Sequence, residues 1–430
     1  MTVSPQYDVI VVGAGLAGLR AARDLADAGR RVLVLDARER VGGRGWTSPF
    51  PDLEGDVELA DVELGGAWFT EHHHLIREEL GRYGIGVREV EPVTSIRWYT
   101  GGSIRDDAPF AADDEASATA MHQLQSDAAA MAEGVDDLRF ALSLDAYLDV
   151  ISAPTEVRDL AYGWWAITGG SDPGVGGVDS LLSAMTSEGP IGDMAYLRYA
   201  PVPGWSALAE ALAATDGIDI EFGQPVSQVF HDDQSVTVRA VHAAFTAPTA
   251  VLAVPVNVLP DIRFTPSLED RLEDAFGSNA GSAIKVWMLT RGVPERALAF
   301  GRGIGLHWLF GDRMVDDRTL VVGFGWPVDN FNPTDSAHLE RALRHFFPDA
   351  SLLAHTTHDW LTDPASQGTW ATGRAGESHR LAAESWAPTG RLVFATSDIA
   401  ADHSGWFEGA LISGRDAARA VLTASTPSNV

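Results

Sequence analysis

The stretch Gly13-Ala14-Gly15-Leu16-Ala17-Gly18 decides the fold, because it stands between an apolar run and a segment with helical spacing. The run over residues 8–12 consists mainly of β-branched residues, which is typical of a strand buried on both faces. Residues 16–29 predict a helix that stops at Gly29, and residues 31–35 predict a second buried strand. A strand, a helix and a strand in this order predict a parallel sheet and an α/β fold.

The three glycines of this stretch have the spacing of a dinucleotide-binding turn. Gly13 permits the tight turn, Gly15 lets the backbone approach a pyrophosphate, and Gly18 allows the helix to pack closely on the strand. The free N–H groups at the start of the helix favour an anion. Asp36 ends the second strand, where a carboxylate accepts hydrogen bonds from an adenosine ribose. A glycine-rich turn without a ligand is the alternative.

The bulk composition excludes several classes of protein. Apolar residues make up 45% of the 430 residues, enough for one large unit or two intertwined domains. The formal charge of −29 argues against nucleic acid or an anionic membrane as a partner. There is no cysteine, and residues 1–7 lack the basic region of a signal peptide. We therefore expect a cytoplasmic protein, and the sequence leaves open its oligomeric state, including a homodimer.

The remaining chain predicts a mixture of helices and strands. Residues 71–200 are rich in Ala, Asp and Glu and predict mainly helix. Residues 218–254 alternate and predict antiparallel strands. Further predicted elements are helices over 205–214, 335–347 and 407–422, and a short strand over 391–395.

Lys285 is the lone lysine of the chain, since 30 of the 31 basic residues are arginine. It lies in Gly281-Ser282-Ala283-Ile284-Lys285-Val286-Trp287-Met288, which predicts a largely buried strand, where an ammonium is costly without partners. Lysine can lose its proton and hold one water, whereas a guanidinium stays charged. The alternatives are a task that arginine cannot perform and a lysine left by chance in a biased composition.

A longer segment carries a resemblance to a known family. Val34-Leu35-Asp36-Ala37-Arg38-Glu39-Arg40-Val41-Gly42-Gly43-Arg44 resembles the fingerprint of the flavin-containing monoamine oxidase family. Four more stretches, in family order, resemble its motifs: Glu63-Leu64-Gly65-Gly66-Ala67-Trp68, Gln224-Pro225-Val226, the strand with Lys285, and residues 394–398 with 403–410.

The resemblance implies FAD, bound without a covalent bond, and a set of residues around it. Thr369 stands where some members have the cysteine that bonds the flavin. Arg44 and the segment 65–68 are expected beside the flavin ring, Arg38 near the adenosine and Val226 at the adenine. The expected FAD-binding residues are Gly13, Gly15, Gly18, Asp36, Ala37, Arg38, Gly43, Arg44, Gly65, Gly66, Ala67, Trp68, Val226, Asp398 and Trp406.

Three residues depart from the family pattern. Thr396 replaces a common glycine, and Asp398 and Asp36 replace common glutamates. Each aspartate keeps a carboxylate but shortens it. We still expect Asp398 to reach the ribityl chain of the cofactor, or a bridging water.

The resemblance also implies the catalytic residues. Trp406 occupies one position of the family's aromatic cage and Trp370 the other, so that two indoles replace the common tyrosine pair. Lys285 is implied to hold a water against flavin N5 and to assist reoxidation by dioxygen. An ordinary core tryptophan is the alternative for each indole.

Other candidates have weaker support. Three adjacent histidines, His72, His73 and His74, cannot all face one ion, so we expect no metal. His403 is expected to pack or to form hydrogen bonds, and a position near the flavin is the alternative. The pairs Trp164-Trp165 and His307-Trp308 either line the substrate cavity or belong to the core.

The predicted architecture is a Rossmann-like FAD-binding domain (1–70, 201–270 and 385–430) with a discontinuous substrate-binding domain of mixed sheet and helices (71–200 and 271–384). The predicted enzyme is an FAD-dependent oxidase that converts a primary amine, apolar and alicyclic or aryl-alkyl, with dioxygen and water to a carbonyl compound, ammonia and hydrogen peroxide. The alternatives are an L-amino-acid oxidase or polyamine oxidase of the same fold, and a flavin-binding subunit without turnover.

Overall fold

A computed structural model of the protein describes residues 7–51, 61–106, 114–187 and 198–424. Residues 1–6, on which most of the N-terminal prediction rests, lie outside the described residues. The α-helices of the described residues are α1 (Leu16–Asp27), α2 (His74–Arg82), α3 (Glu115–Ala132), α4 (Leu144–Val150), α5 (Thr155–Thr168), α6 (Asp179–Ser187), α7 (Trp205–Ala213), α8 (Asp270–Glu273), α9 (Ser336–Phe346) and α10 (Phe407–Ala424).

Strands account for most of the remaining regular structure. In chain order they are β1 (Val9–Val12), β2 (Val32–Leu35), β3 (Thr47–Ser48), β4 (Val62–Glu63), β5 (Gly86–Glu89), β6 (Ser95–Thr100), β7 (Ser103–Arg105), β8 (Tyr199–Val202), β9 (Ile218–Glu221), β10 (Val226–His231), β11 (Val236–Ala240), β12 (Ala244–Ala247), β13 (Thr249–Leu252), β14 (Arg263–Thr265), β15 (Ile284–Arg291), β16 (Ala297–Gly301), β17 (Leu306–Val315), β18 (Arg318–Gly325), β19 (Ser351–Thr357) and β20 (Leu392–Phe394).

A five-stranded parallel sheet carries the glycine-rich turn. Its strand order is β20-β13-β1-β2-β9, and β1 lies in the middle with Val9 opposite Val32 on one side and Thr249 on the other. All four residues of β1 and of β2 are buried, because helices α1, α7 and α10 cover one face of the sheet and the four-stranded sheet packs on the other. The predicted strand–helix–strand opening and its parallel sheet are confirmed.

The prediction of antiparallel strands over residues 218–254 is wrong at both ends of that segment. Strands β9 and β13 are parallel members of the five-stranded sheet, since they pair with β2 and β1. Only β10, β11 and β12 between them pair antiparallel, in a four-stranded sheet that β14 completes in parallel. Strands of four to six residues carry little information about their pairing partner, so their sequence could not separate parallel from antiparallel strands.

A seven-stranded sheet forms the other large layer, in the order β19-β15-β18-β17-β16-β6-β7. Strand β15 carries Lys285 and is buried over its first seven residues, as predicted. The prediction that residues 71–200 are mainly helical is incomplete, because β5, β6, β7 and β8 also lie there. Helix α5 packs against β16 and β17 of this sheet.

The division into two discontinuous domains stays a prediction, although the strands of the parallel sheet come from within the three segments assigned to the FAD-binding domain. Helix α1 packs closely on α10, where a side chain at Gly414 would overlap the carbonyl of Ala17. Among the helices of the described residues, none combines the length and the hydropathy needed to span a bilayer.

Candidate active site

The turn after β1 leaves space for a ligand at one glycine and none at the other two. Gly13 has a φ of +108°, and a Cβ there would overlap the carbonyl of Ala253. A Cβ at Gly18 would overlap the carbonyl of Gly13. At Gly15, by contrast, the nearest atom would be the Cα of Gly43 at 4.0 Å, and no side chain caps the N-terminus of α1. The start of α1 is therefore open to an anion.

Asp36 joins two loops at the end of β2. One carboxylate oxygen accepts the N–H of Ala14 at 2.7 Å, and the other accepts the N–H of Arg38 at 2.8 Å. Burial raises the pKa of Asp36, and these two backbone donors oppose the shift. The carboxylate lines the cavity described below and keeps lone pairs for a further donor, such as a ribose hydroxyl.

Arg38 leaves the same loop and reaches a distant segment. Its guanidinium donates to Asp363 and to the hydroxyl of Ser366, both at 2.8 Å, and Asp363 also contacts Nε2 of His358 at 2.8 Å. The pKa of Asp363 is lowered by these hydrogen bonds, although burial opposes the shift. This ion pair closes one wall of the cavity.

Arg44 connects three segments around the predicted flavin position. One guanidinium nitrogen donates to Oδ1 of Asp398 at 2.6 Å and to the hydroxyl of Ser397 at 3.1 Å. The other donates to the carbonyl of Thr369. A Cβ at Gly65 would overlap the carbonyl of Arg44, and one at Gly66 would lie 2.5 Å from the ring of Phe407. These two glycines therefore allow the close approach of the segment 65–68.

Asp398 lies behind the cavity wall rather than on it. Its carboxylate is fully buried, and its second oxygen accepts the N–H of Val256 at 3.2 Å. The residues that line the cavity include its neighbours Thr396 and Ser397 but not Asp398 itself. Asp398 therefore holds Arg44 in place from behind the cavity wall, and its predicted contact with a ribityl chain or water stays a prediction.

Lys285 points toward the loop with Gly65. Its Nζ donates to the carbonyl of Gly65 at 2.7 Å and lies 5.3 to 5.6 Å from the ring centroids of Trp68, Trp287 and Phe324. Burial lowers the pKa of Lys285 to about 7, against the attraction of Glu63 and Asp312. The amine therefore exists both neutral and charged near pH 7.

The two predicted cage residues line the same cavity as Lys285. Trp370 donates its indole N–H to the carbonyl of Thr168 at 2.9 Å, and its ring lies 6.2 Å from that of Phe324. A Cβ at Gly405, next to Trp406, would lie 3.3 Å from the Cβ of Trp370. The structure therefore brings Trp370, Trp406, Phe324 and Lys285 to one part of the cavity.

The other sequence candidates lie elsewhere. Trp164, Trp165 and Trp308 are buried in the core cluster behind the seven-stranded sheet. His307 stacks on Trp326 at 3.8 Å, beside a second, smaller cavity. The core alternative is therefore the correct one for these tryptophans.

Of the three adjacent histidines, only His73 is buried. Its ring lies 4.8 Å from that of His403 and 5.0 Å from that of Trp406, whereas His72 and His74 are exposed. The packing role expected for His403 agrees with its contact. Among the described residues, no group of three or more histidines and carboxylates could hold a metal ion.

Sequence reasoning missed three residues of the site. Glu63, from β4, accepts the N–H of Trp205 at 3.0 Å and the hydroxyl of Thr47 at 2.9 Å, and burial raises its pKa. Phe324 lies on β18, directly opposite Lys285. Asp179 opens α6 and lines the cavity. An acidic residue just before the apolar pair Leu181-Leu182 is typical of a helix start, and this signal could have pointed to Asp179.

Asp36, Arg38, Arg44, Lys285, Trp370 and Trp406 line one cavity of about 1320 Å³. Its lining also includes Ala37, Val226, Gly15 and Gly43. Pockets for single small ligands usually measure about 300–1,000 Å³, so this cavity has room for a dinucleotide together with a small substrate.

Comparison with known proteins agrees with this geometry. The family model for flavin containing amine oxidoreductases matches residues 16–422. The chain belongs to the flavin-containing amine oxidase family. It is 30% identical over 434 residues to (S)-6-hydroxynicotine oxidase of Paenarthrobacter nicotinovorans, covering 97% of this chain and 99% of that protein. It is 29% identical to pseudooxynicotine dehydrogenase of a Pseudomonas species, covering 95% of this chain and 85% of that one.

Solved structures of two family members share the fold. Putrescine oxidase bound to putrescine superposes with a TM-score of 0.82 at 24% identity, over 97% of this chain and 99% of that one. Cyclohexylamine oxidase from Brevibacterium oxydans superposes with a TM-score of 0.80 at 21% identity, over 98% of this chain and 99% of that one. The predictions of the family, of the amine oxidase fold and of a flavin enzyme are thereby confirmed.

The residues present fit FAD. The open side of Gly15 at the start of α1 would accept a pyrophosphate, and Asp36 lines the same cavity, where the resemblance expects the ribose. A Cβ at Gly43 would lie 3.1 Å from the Cα of Gly15, so the two glycines let the loop after β2 approach the turn after β1 closely. The contacts of the individual residues with the cofactor stay predictions.

Proposed function

We propose that this amine oxidase converts a primary amine with an apolar alicyclic or aryl-alkyl body, dioxygen and water into a carbonyl compound, ammonia and hydrogen peroxide. One observation carries the proposal: Trp370, Trp406 and the buried Lys285 all line the end of the cavity beside the loop with Gly65. When bound, FAD would supply the acceptor for the hydride that leaves the carbon beside the nitrogen, while the nitrogen loses a proton and the carbon–nitrogen bond becomes that of an imine, which water hydrolyses.

The protein residues bind and orient the amine. A neutral amine is required, because an ammonium has no lone pair to assist cleavage of the C–H bond. The faces of Trp370, Trp406 and Phe324 favour an apolar body and limit the solvation of the nitrogen, which disfavours the ammonium. Lys285, with a pKa near 7, can hold a water and can carry a charge that favours the reduction of dioxygen.

An oxidase for L-amino acids receives less support. The carboxylate of an amino-acid substrate is bound best by a guanidinium at the reacting end of the cavity, because the two groups form paired hydrogen bonds. Three arginines line the cavity, Arg38, Arg40 and Arg44, and all belong to the loop after β2. Arg38 and Arg44 already pair with Asp363 and Asp398. Among the described residues from 61 onward, no arginine lines the cavity.

The electron acceptor that reoxidises the flavin is a separate question, because relatives of this chain include proteins named as oxidases and as dehydrogenases. Lys285 lines the cavity, which favours dioxygen as the electron acceptor. The same residue argues against a flavin-binding subunit without turnover. The cytoplasmic location, the homodimer and the release of hydrogen peroxide are part of the same proposal and rest on composition and family membership.

The test is anaerobic mixing of the purified yellow protein with a panel of primary amines, followed by admission of air. Loss of absorbance near the flavin maximum with an alicyclic or aryl-alkyl amine, and peroxide formation after aeration, are expected. Bleaching by L-amino acids but not by their decarboxylated amines would reject the proposal in favour of an amino-acid oxidase. Bleaching without peroxide after aeration would reject dioxygen as the acceptor.

A further inference from the structure

A buried carboxylate stands two residues after Trp406. Glu408 lies in the first turn of α10 and is 3% exposed. Its two oxygens accept the N–H groups of Leu75 and Ile76 at 2.8 Å and 2.9 Å, across 333 and 332 positions of the chain. Both oxygens are therefore bound to the first turn of α2.

Within the part of the chain that the structure describes, helix α2 has no cap of its own at this end. The first N–H groups of a helix lack partners inside it, and the side chain of His73, the N-cap residue, makes no capping hydrogen bond. The first turn, residues 74–77, contains no acidic residue. Glu408 supplies what is missing, because its oxygens accept two of the free N–H groups and its charge faces the positive end of the helix dipole.

The contact between Glu408 and α2 determines what surrounds Trp406. His73 is fully buried, and its ring lies 5.0 Å from the indole of Trp406 and 4.8 Å from the ring of His403. Nδ1 of His73 accepts the N–H of Thr70 at 3.2 Å, which holds the imidazole on the chain that enters α2. Because Glu408 joins α2 to α10, it fixes the separation between His73 and Trp406.

The residue between Trp406 and Glu408 holds the start of α10 from another side. The ring of Phe407 fills the space over Gly66, where a Cβ would lie 2.5 Å from it. Phe407 and Glu408 therefore tie the first turn of α10 to two different walls, the segment 65–68 and helix α2. Trp406 directly precedes both contacts, so its indole has little freedom to move while both are intact.

We infer that Glu408 is a positioning residue, which joins α2 to the start of α10 and thereby fixes the indole of Trp406 in the cavity. Trp406 lines the cavity and Glu408 does not, so an effect of Glu408 on the flavin or on a bound amine passes through Trp406. The inference rests on the proposed function, in which Trp406 orients the amine, and adds to it a residue outside the cavity. No covalent or redox step involves Glu408.

The experiment is a double-mutant cycle of Glu408→Gln and Trp406→Phe in the holoenzyme. Glu408→Gln keeps the size of the side chain but removes the charge and one of the two acceptors. The control Asp335→Ala removes a carboxylate that accepts the N–H groups of Ala337 and His338 at the start of α9 and does not line the cavity.

Three quantities are measured for each variant. The first is the visible circular dichroism of the oxidised flavin, which depends on the aromatic rings around the flavin and needs no substrate. The second is the melting temperature. The third is the anaerobic bleaching by an amine, from which the dissociation constant and the limiting rate are obtained separately.

Glu408→Gln should change the flavin dichroism and lower the limiting bleaching rate at least about tenfold, because misplacement by about 1 Å can cost about 100-fold. The dissociation constant of the amine should change less than the rate. In the Trp406→Phe background, the same substitution should change neither the dichroism nor the rate further, although it still lowers the melting temperature. Asp335→Ala should lower the melting temperature alone.

Equal changes in dichroism from Glu408→Gln in both backgrounds, or no change with Trp406 present, would overturn the inference. An equally large change from Asp335→Ala would also overturn it, because a general loss of stability would then explain both. If no amine bleaches the holoenzyme, the proposed function fails, and the dichroism still decides the role of Glu408. Should Glu408→Gln lose its flavin, Glu408→Asp, which keeps the charge on a shorter side chain, takes its place in the cycle.

Discussion

Arg44 and Asp398 form a buried ion pair that joins three distant segments of the site. The guanidinium contacts Oδ1 of Asp398 at 2.6 Å, and the other carboxylate oxygen accepts the N–H of Val256. The same guanidinium donates to the carbonyl of Thr369, next to Trp370. The position of the aromatic wall therefore depends on a pair whose acidic member does not line the cavity.

Asp398→Ala should therefore destabilise the protein and loosen its flavin. The change leaves the Arg44 charge without its partner, which costs about 3 kcal/mol for a buried pair. Denaturant unfolding should show this loss, and the ratio of flavin to protein absorbance should fall after gel filtration. The control Asp416→Ala, in a carboxylate that is 47% exposed, should change neither. Full flavin content in Asp398→Ala would contradict the positioning role of the pair.

Gly15 and Gly18 should respond differently to the same added methyl group. Gly15 has a φ of −72° and open space at its Cβ position, so Gly15→Ala should fold normally but lose affinity for FAD. Gly18→Ala places its methyl against the Gly13 carbonyl, so it should destabilise the protein itself. Thermal unfolding of the two apoproteins separates these outcomes. Equal melting temperatures for the two variants would show that Gly18 is not required for helix–strand packing.

The flavin should leave the protein when it unfolds. Thr369 stands where some members of the family have a cysteine that bonds the flavin covalently. Here its hydroxyl accepts the N–H of Ala283 at 3.0 Å. With no cysteine in the chain, acid precipitation should give a colourless pellet and a yellow supernatant. A yellow pellet after washing in denaturant would mean a covalent bond to another side chain.

The sequence predicted the parts of the site that depend on local backbone requirements. The spacing of Gly13, Gly15 and Gly18 fixes a turn, and a turn between two buried strands can be read without knowing the rest of the fold. The buried strand around Lys285 was predicted equally well from its run of apolar residues. In the structure, seven successive residues of β15 are buried.

Contacts between distant segments could not be predicted in the same way. Arg38 pairs with Asp363 across 325 positions, and nothing in either segment marks the other. Trp165 and Trp370 have the same side chain, and only the packing of α5 against the seven-stranded sheet places the first in the core and the second on the cavity. The parallel pairing of β9 with β2 likewise depends on the whole sheet rather than on its own four residues.

Lys285→Met should keep the fold and the flavin but slow the reaction of the reduced enzyme with dioxygen. The variant removes the ammonium that donates to the carbonyl of Gly65, and loss of such a group costs about 100-fold in rate where charge develops. Stopped-flow measurements separate the anaerobic bleaching step, expected to change little, from reoxidation. Arg291→Met, at the exposed end of the same strand, is the control and should leave both steps unchanged.

The same lysine predicts a pH dependence whose direction follows from its lowered pKa. Because burial brings the pKa of Lys285 to about 7, the ammonium form predominates below that value and the neutral amine above it. If the ammonium stabilises the negative charge that forms on dioxygen, the reoxidation rate constant should fall as the pH rises through about 7. In Lys285→Met this step should disappear, leaving a slow rate that varies little between pH 6 and 9. An unchanged pH profile in the variant would assign the titration to another group, and Glu63, whose pKa is raised by burial in the same region, would then be the first residue to replace.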